Sequence, residues 1–270
     1  MKCRIALAAC LLFSLSTFGQ SASTGSLVVV VIGSSTAAGV GARPVDSAWV
    51  PRLEAHLKSL NPANQVINLA KSGYQTWHLM PTGTRHPASR SAPDTLRNIT
   101  RALSLRPDAV IVNLPSNDAA AGFPVQEQIA NFESIAYAAW AAGVPVWFTS
   151  VQPRNFDPAK IHIQLQVLLA LEKRFEGQIV NFWESLAMPD GRLTPRYDSG
   201  DGIHLNNAGH ALLFEKIAAP DIWAKTTERE RALEIADQNR ALFLPLGKND
   251  LRHRPLVPCP TPPRHLHPSQ

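Results

Sequence analysis

Cysteine is nearly absent from this 270-residue chain. There are three, and Cys3 and Cys10 fall in the first ten residues while Cys259 stands alone near the carboxyl end. A mature domain lacking Cys3 and Cys10 has no internal disulfide, so a packed core has to hold it together. Long apolar runs are also lacking. Only Ile5 to Phe18 approaches one, and it is short for a bilayer span and broken by Ser14 and Ser16. An excess of one charge is missing too. From Ser23 to Trp223 there are 16 Lys and Arg against 16 Asp and Glu, so the net +5 of the chain lies outside that stretch. The basic isoelectric point is therefore no sign of a nucleic-acid surface, and none is expected.

Residues 1–22 read as a secretory signal peptide. Lys2 and Arg4 form a charged start, the apolar run follows, and the small residues Thr17, Gly19, Ser21 and Ala22 offer a cleavage region. This predicts a secreted or periplasmic protein with no stable membrane span once the segment is removed. Leu7-Ala8-Ala9-Cys10 has the look of a lipobox, but little apolar sequence precedes it and Leu11-Leu12-Phe13 follows, so the match is taken as accidental.

What is present is a core. The chain is 45% hydrophobic and 17% charged, enough for one sizeable domain over residues 23–223. Five short apolar runs read as buried parallel strands: Leu27–Ile32, Val66–Leu69, Ala109–Leu114, Val144–Thr149 and Ile179–Trp183. Helical spacing runs between them over Ala48–Leu60, Leu96–Leu105, Val125–Ala142 and Ile161–Phe175, with Asn206 or Asn207 capping a last helix through Ile217. Strands alternating with helices give an α/β fold with a parallel sheet covered on both faces. Residues 224–270 change character: a polar helix over Thr226–Leu244 and then a disordered stretch with seven prolines are expected.

Four segments bear chemistry, and each lies at a strand end or in the late loop. Gly33-Ser34-Ser35-Thr36 follows the first strand, where a tight turn can expose a serine at the sheet rim; read alone it is equally an ordinary strand-to-loop turn. A phosphate loop would need a Gly-Lys ending and a dinucleotide fingerprint a third glycine after Gly39-Val40-Gly41; neither is present. Asp201-Gly202-Ile203-His204 offers a base for the serine and a carboxylate to orient it. A metal site shared with His210 would want further ligands in a His- or Cys-rich context, so no metal is expected. Gly73 and Asn117, after the second and third strands, can place an N–H and an amide at an oxyanion, beside the N–H of Ser35 itself; read singly they are a turn glycine and part of a helix cap.

Together, Gly33-Ser34-Ser35, Gly73, Asn117 and the Asp201 and His204 pair resemble, in order and spacing, the SGNH or GDSL-like hydrolases, over roughly Val28 to Ala218. The resemblance implies a flavodoxin-like three-layer α/β/α sandwich with strand order 2-1-3-4-5. It also implies a serine ester hydrolase without metal or cofactor: Ser35 as nucleophile, His204 as base, Asp201 as its orienting acid, and Ser35, Gly73 and Asn117 as the oxyanion hole. Ser34 stands where the family usually has Asp, and Pro115 where it usually has Gly, which makes transfer of substrate preference unsafe. The expected substrate is a small-molecule or glycan ester, with short acyl groups such as acetyl removed from carbohydrate. Ser34, Trp77 and Arg154 are the candidate substrate contacts. An acyltransferase on the same fold, or a non-catalytic glycan-binding module, are the alternatives.

Overall fold

The computed structural model describes residues 26–87 and 89–219, all within the larger of two compact units, Met1–Thr226. The expected signal peptide, polar helix and proline-rich stretch lie outside the described residues.

Five parallel strands form one sheet in the order β2-β1-β3-β4-β5. They are β1 (Val28–Gly33), β2 (Gln65–Asn68), β3 (Ala109–Asn113), β4 (Val146–Thr149) and β5 (Ile179–Val180). In β1 the alternation of a strand splits the valines between two faces. Val30 and Ile32 join Val110, Val112, Val146 and Phe148 on one face. Val29 and Val31 join Ile111, Trp147 and Val180 on the other.

The helices covering the first face are α2 (Ile99–Ser104), α4 (Val125–Ala141) and α5 (Pro158–Arg174). Ile99, Phe132, Ile135, Val167 and Leu171 carry their apolar stripes inward. The second face is covered by α1 (Trp49–Leu60), α6 (Trp183–Leu186) and α7 (Asn207–Ile217). Trp49, Leu53 and Leu57 of α1 meet Leu213 and Ile217 of α7 there. Each such side chain, buried to a few per cent or less, contributes on the order of 1.5–3 kcal/mol over leaving it in water. A short α3 (Asn117–Ala120) follows β3.

Element bounds depart from the sequence reading at polar residues. The fifth strand stops at Val180 instead of reaching Trp183, because Asn181 Oδ1 accepts the Glu184 N–H and turns the chain into α6. Helix α5 starts three residues earlier than its apolar spacing suggested, at the Asp157 cap and Pro158. Helix α2 starts three later, where Asn98 Oδ1 accepts from Arg101 N–H at 3.0 Å. Asn117 is the first residue of α3, with Ser116 in the cap position before it.

Candidate active site

The carboxyl ends of β1, β2 and β3 make the edge on which the site is built. After Gly33 the chain folds into a tight bend, with Ala38 N–H donating to the Ser34 carbonyl at 2.9 Å and Val40 N–H to that of Ser35 at 3.0 Å. The bend is tied to both neighbours of β1. Ser34 N–H donates to the Asn113 carbonyl at 3.0 Å, and Lys71 N–H to the Gly33 carbonyl at 3.1 Å. Ser35 is thus fixed at the strand end with 6% of its surface exposed.

Asp201 and His204 share the short loop 198–205. Asp198 shapes it: its Oδ1 accepts the N–H groups of Gly200 (2.8 Å), Asp201 (3.2 Å) and Gly202 (3.0 Å). Asp201 then accepts from the N–H groups of Ile203 (2.9 Å) and His204 (2.8 Å), and its Oδ2 lies 2.6 Å from His204 Nδ1. A carboxylate only accepts, so Nδ1 carries the proton and Nε2 keeps its lone pair, which is the tautomer a base requires. Burial pushes the Asp201 carboxyl up, but the His204 N–H and imidazole and the Ile203 N–H outweigh it and hold it at about 2.

This loop rests on the Ser35 bend through Gly41. A Cβ at Gly41 would stand 2.2 Å from the Leu205 carbonyl oxygen and 3.2 Å from His204 Cβ. Among the described residues the imidazole's hydrogen bond runs to Asp201 and none joins it to the Ser35 hydroxyl. Such bonds often close only around bound substrate. His210 points elsewhere: it is buried, with Nε2 3.2 Å from the Val40 carbonyl. Burial pulls it down, against the Val40 carbonyl and with Arg52 and His204, to about 4, so it is neutral at ordinary pH.

Gly73 has φ 84 and nothing within 4 Å of where a Cβ would be. Asn117 Nδ2 donates to the Tyr74 carbonyl at 2.9 Å, which ties it to the residue after Gly73 and leaves its second amide hydrogen free for another acceptor. Asp118 locks the same two loops from below. Its buried carboxylate accepts from the Thr76 N–H at 3.0 Å and the Thr76 hydroxyl at 2.5 Å. Burial pushes Asp118 up to about 6 despite those two donors, and Glu127 adds to the rise.

The candidate substrate contacts fare differently. Ser34 is fully buried and its hydroxyl has no hydrogen-bond partner among the described residues, so its assignment as a substrate contact is corrected: the bend turns it inward. Trp77 lines a cleft of about 420 Å³ with Gln75, His78, Arg90 and Phe123. Yet Trp77 is nearly buried, its Nε1 donates to the Ser91 carbonyl, and Arg90 lies 5.5 Å from its ring centroid. It anchors the loop and has little face left for a sugar to stack on. Arg154 is half-buried over the Phe156 ring at 4.7 Å. Burial lowers its pKa, which the charge of Asp201 partly offsets.

The roles not read from the sequence are those of Thr36, Gln152, Asp198 and Asp118, although Gln152 falls in a segment after the fourth strand that could wall the cleft and Asp118 beside Asn117 reads as part of a helix cap. Asp198 left a trace in the Asp-Ser-Gly-Asp-Gly run that favours a turn closed by an acidic side chain.

The model of the GDSL-like lipase/acylhydrolase family matches residues 31–212. A comparison with curated proteins gives no match. Among solved structures, a GDSL-like lipase from Bacteroides thetaiotaomicron is 22% identical, with 73% of this chain and 88% of that one covered and a TM-score of 0.54. An acetyl xylan esterase is 14% identical over 71% of this chain and 98% of its own, with a TM-score of 0.52. A two-domain esterase active on acetylated mannans is 16% identical over 74% of this chain and 50% of its own, with a TM-score of 0.51. At these identities the likeness speaks for the fold.

Proposed function

The chain belongs to the GDSL-like lipase/acylhydrolase family, and we propose that it is a serine esterase in which Ser35 carries the acyl group. The observation that supports this best is the 2.6 Å pairing of Asp201 with His204, on a loop pressed against the Ser35 bend. A serine hydroxyl is a weak nucleophile until a base takes its proton, and an imidazole in this tautomer is that base.

In this reading Ser35 Oγ adds to the ester carbon as its proton passes to His204 Nε2. The charge that gathers on the carbonyl oxygen meets the N–H groups of Ser35 and Gly73 and the free amide hydrogen of Asn117. When the carbon–alkoxy bond breaks, the imidazolium returns the proton to the leaving alcohol. Water then adds to the acyl-enzyme, giving its proton to Nε2, and collapse releases the acid and restores the Ser35 hydroxyl.

Short acyl esters of carbohydrate are the proposed substrates. Two proteins sharing the fold act on acetylated xylan and mannan, and the rim beyond Gly73 is polar, with Gln75, His78 and Arg90 lining the cleft. The pattern of residues 1–22 supports an exported protein.

The deciding experiment measures 4-nitrophenyl acetate hydrolysis by wild type, Ser35→Ala and His204→Ala, with a serine-directed phosphonate mapped by mass spectrometry. Label on Ser35 and near-complete loss in both variants are expected. Full activity in Ser35→Ala, or label on another serine, overturns the reading. Release of acetate from acetylated polysaccharide, with long-chain lipid esters left intact, tests the substrate class.

A further inference from the structure

Gln152 stands where three loops meet, three residues past β4. Its side chain is 1% exposed and both ends of its amide are bonded. Oε1 accepts the Thr36 hydroxyl at 3.1 Å, and Nε2 donates to the Ile203 carbonyl at 3.0 Å. The direction is fixed by chemistry: the Ile203 carbonyl can only accept, so the amide nitrogen faces it and the amide oxygen faces Thr36. Thr36 is the residue after Ser35, and Ile203 is the residue before His204. One buried amide therefore bridges the segment that holds the hydroxyl and the segment that holds the imidazole.

The strut is itself anchored. The Gln152 N–H donates to the Pro115 carbonyl at 3.1 Å. Its carbonyl accepts from Gln164 Nε2 at 2.9 Å, and the same Nε2 lies 3.3 Å from the Pro115 oxygen. Pro115 stands two residues before Asn117, and Gln164 is fully buried in α5. Packing alone would be met by an apolar side chain of the same length. Burying an amide against a hydroxyl and a carbonyl is costly unless they are paired, and the Gln152 oxygen and nitrogen, the Thr36 hydroxyl and the Ile203 carbonyl are, while Gln164 Oε1 has no partner among the described residues. The amide offers an acceptor to one loop and a donor to the other, which an apolar side chain of that length cannot.

We infer that Gln152 is a positioning residue that sets the approach of the Ser35 hydroxyl to the His204 imidazole. This rests on the reading of those two residues as nucleophile and base. The Asp201 and His204 contact is internal to the loop 198–205, so it survives loss of Gln152. What changes is the placement of that loop against Ser35. The signature is a lower kcat per labelled site at nearly constant KM, which a mere loss of folded protein does not produce.

The test uses the full chain and four single variants, with kcat on 4-nitrophenyl acetate divided by the number of sites that the phosphonate labels at completion. Since small misplacement of reacting groups costs on the order of 10²-fold, Gln152→Met and Thr36→Val are expected to lose about 10- to 100-fold in kcat with KM nearly constant. Thr36→Ser, which keeps the donor, stays close to wild type. Gln152→Glu falls as far as Gln152→Met, because a carboxylate accepts from Thr36 but cannot donate to Ile203. The double variant Thr36→Val/Gln152→Met is no slower than the slower single, since both cut one bridge. Wild-type kcat per labelled site in Gln152→Met, or equal rates for Thr36→Val and Thr36→Ser, overturns the inference. Should Gln152→Met not fold, the Thr36 pair decides. An active Ser35→Ala defeats the parent reading; an inactive Ser35→Ala beside an unaffected Gln152→Met defeats the strut alone.

Discussion

Gly41 and Gly73 share a left-handed backbone, with φ 95 and 84, and differ in what surrounds them. A methyl on Gly41 meets the Leu205 carbonyl at 2.2 Å, whereas a methyl on Gly73 meets nothing. Both alanine variants carry a backbone cost of about 1–3 kcal/mol. Gly41→Ala adds a collision that only a retreat of the His204 loop relieves, so it is expected to lose both melting temperature and kcat. Gly73→Ala is expected to fold with the smaller drop in melting temperature and, on the oxyanion role proposed for Gly73, to lose activity, because the methyl enters open space beside its N–H. Equal melting temperatures for the two variants would remove Gly41 from the contact described. Asp201→Asn is expected to lower kcat by ~10³–10⁴-fold with little change in KM, since an amide can donate to Nδ1 and select the wrong tautomer. With its carboxyl held at about 2, Asp201 stays ionised from pH 4 upward, so the deficit of Asp201→Asn is expected across that whole range. Asp201 and His204 were legible in the sequence as a pair because a base and its carboxylate sit three apart on one loop, and the structure joins them at 2.6 Å. Thr36 and Gln152 were not, because their meaning lies in a contact between residues 116 apart in the chain.

At the scale of elements, apolar period placed the five strands and polar side chains set the ends. The β-branched runs of β1 and β3 were legible, since a strand buried on both faces has no polar residue to interrupt it. The end of β5 was hidden because Phe182 and Trp183 are apolar and core-facing in the turn and α6 just as they would be in a strand. The early start of α5 was written in Asp157-Pro158, a cap followed by a proline at the first helical position, which apolar spacing alone passes over. Two caps test how such ends are held. Asp157 is exposed, and among the described residues its side chain bonds within its own helix start, to Lys160 and the Ala159 N–H. Asn98 is fully buried, accepts from Arg101, and donates to the Met80 carbonyl at 3.1 Å and the Thr82 hydroxyl at 2.9 Å. Asp157→Ala should cost about 1 kcal/mol, the ordinary worth of a cap. Asn98→Ala should cost about 2–4 kcal/mol, since it also strands the buried Met80 carbonyl without a donor. Urea unfolding of the two variants checks the order, and an exposed cap that matters more than the buried one would contradict it.

For the whole molecule, two buried groups pull the dependence of stability on pH in opposite directions. Asp118 is held at about 6 in the fold, by burial first and Glu127 second, against an unfolded value near 3.9. As pH rises from 4 to 6 the unfolded chain gives up that proton first, so this group makes the fold less stable as the solution becomes less acid. His210 is held at about 4, by burial first and by Arg52 and His204 in addition, against an unfolded value near 6.5. Across the same interval the unfolded chain keeps that proton longer, so this group makes the fold more stable as pH rises. Each contributes a slope of at most about 1.4 kcal/mol per pH unit, and between 4 and 6 the two offset each other. The lowered carboxyls Asp94, Asp157 and Asp201 act mostly below this window. Wild type should therefore show a weaker dependence of unfolding free energy on pH from 4 to 6 than Asp118→Asn, with His78, lowered mainly by burial, adding to the upward side. Asp118→Asn keeps an oxygen for Thr76 but removes one slope, and its stability should climb with pH across that range. His210→Gln keeps a donor for the Val40 carbonyl and removes the other, and its stability should decline with pH. The two groups sit at opposite anchors of the site, one beneath the loops of Gly73 and Asn117 and the other beneath the bend of Ser35. Parallel curves for the three proteins, measured by urea unfolding at fixed ionic strength, would mean that neither anchor stays in its buried, shifted state in solution.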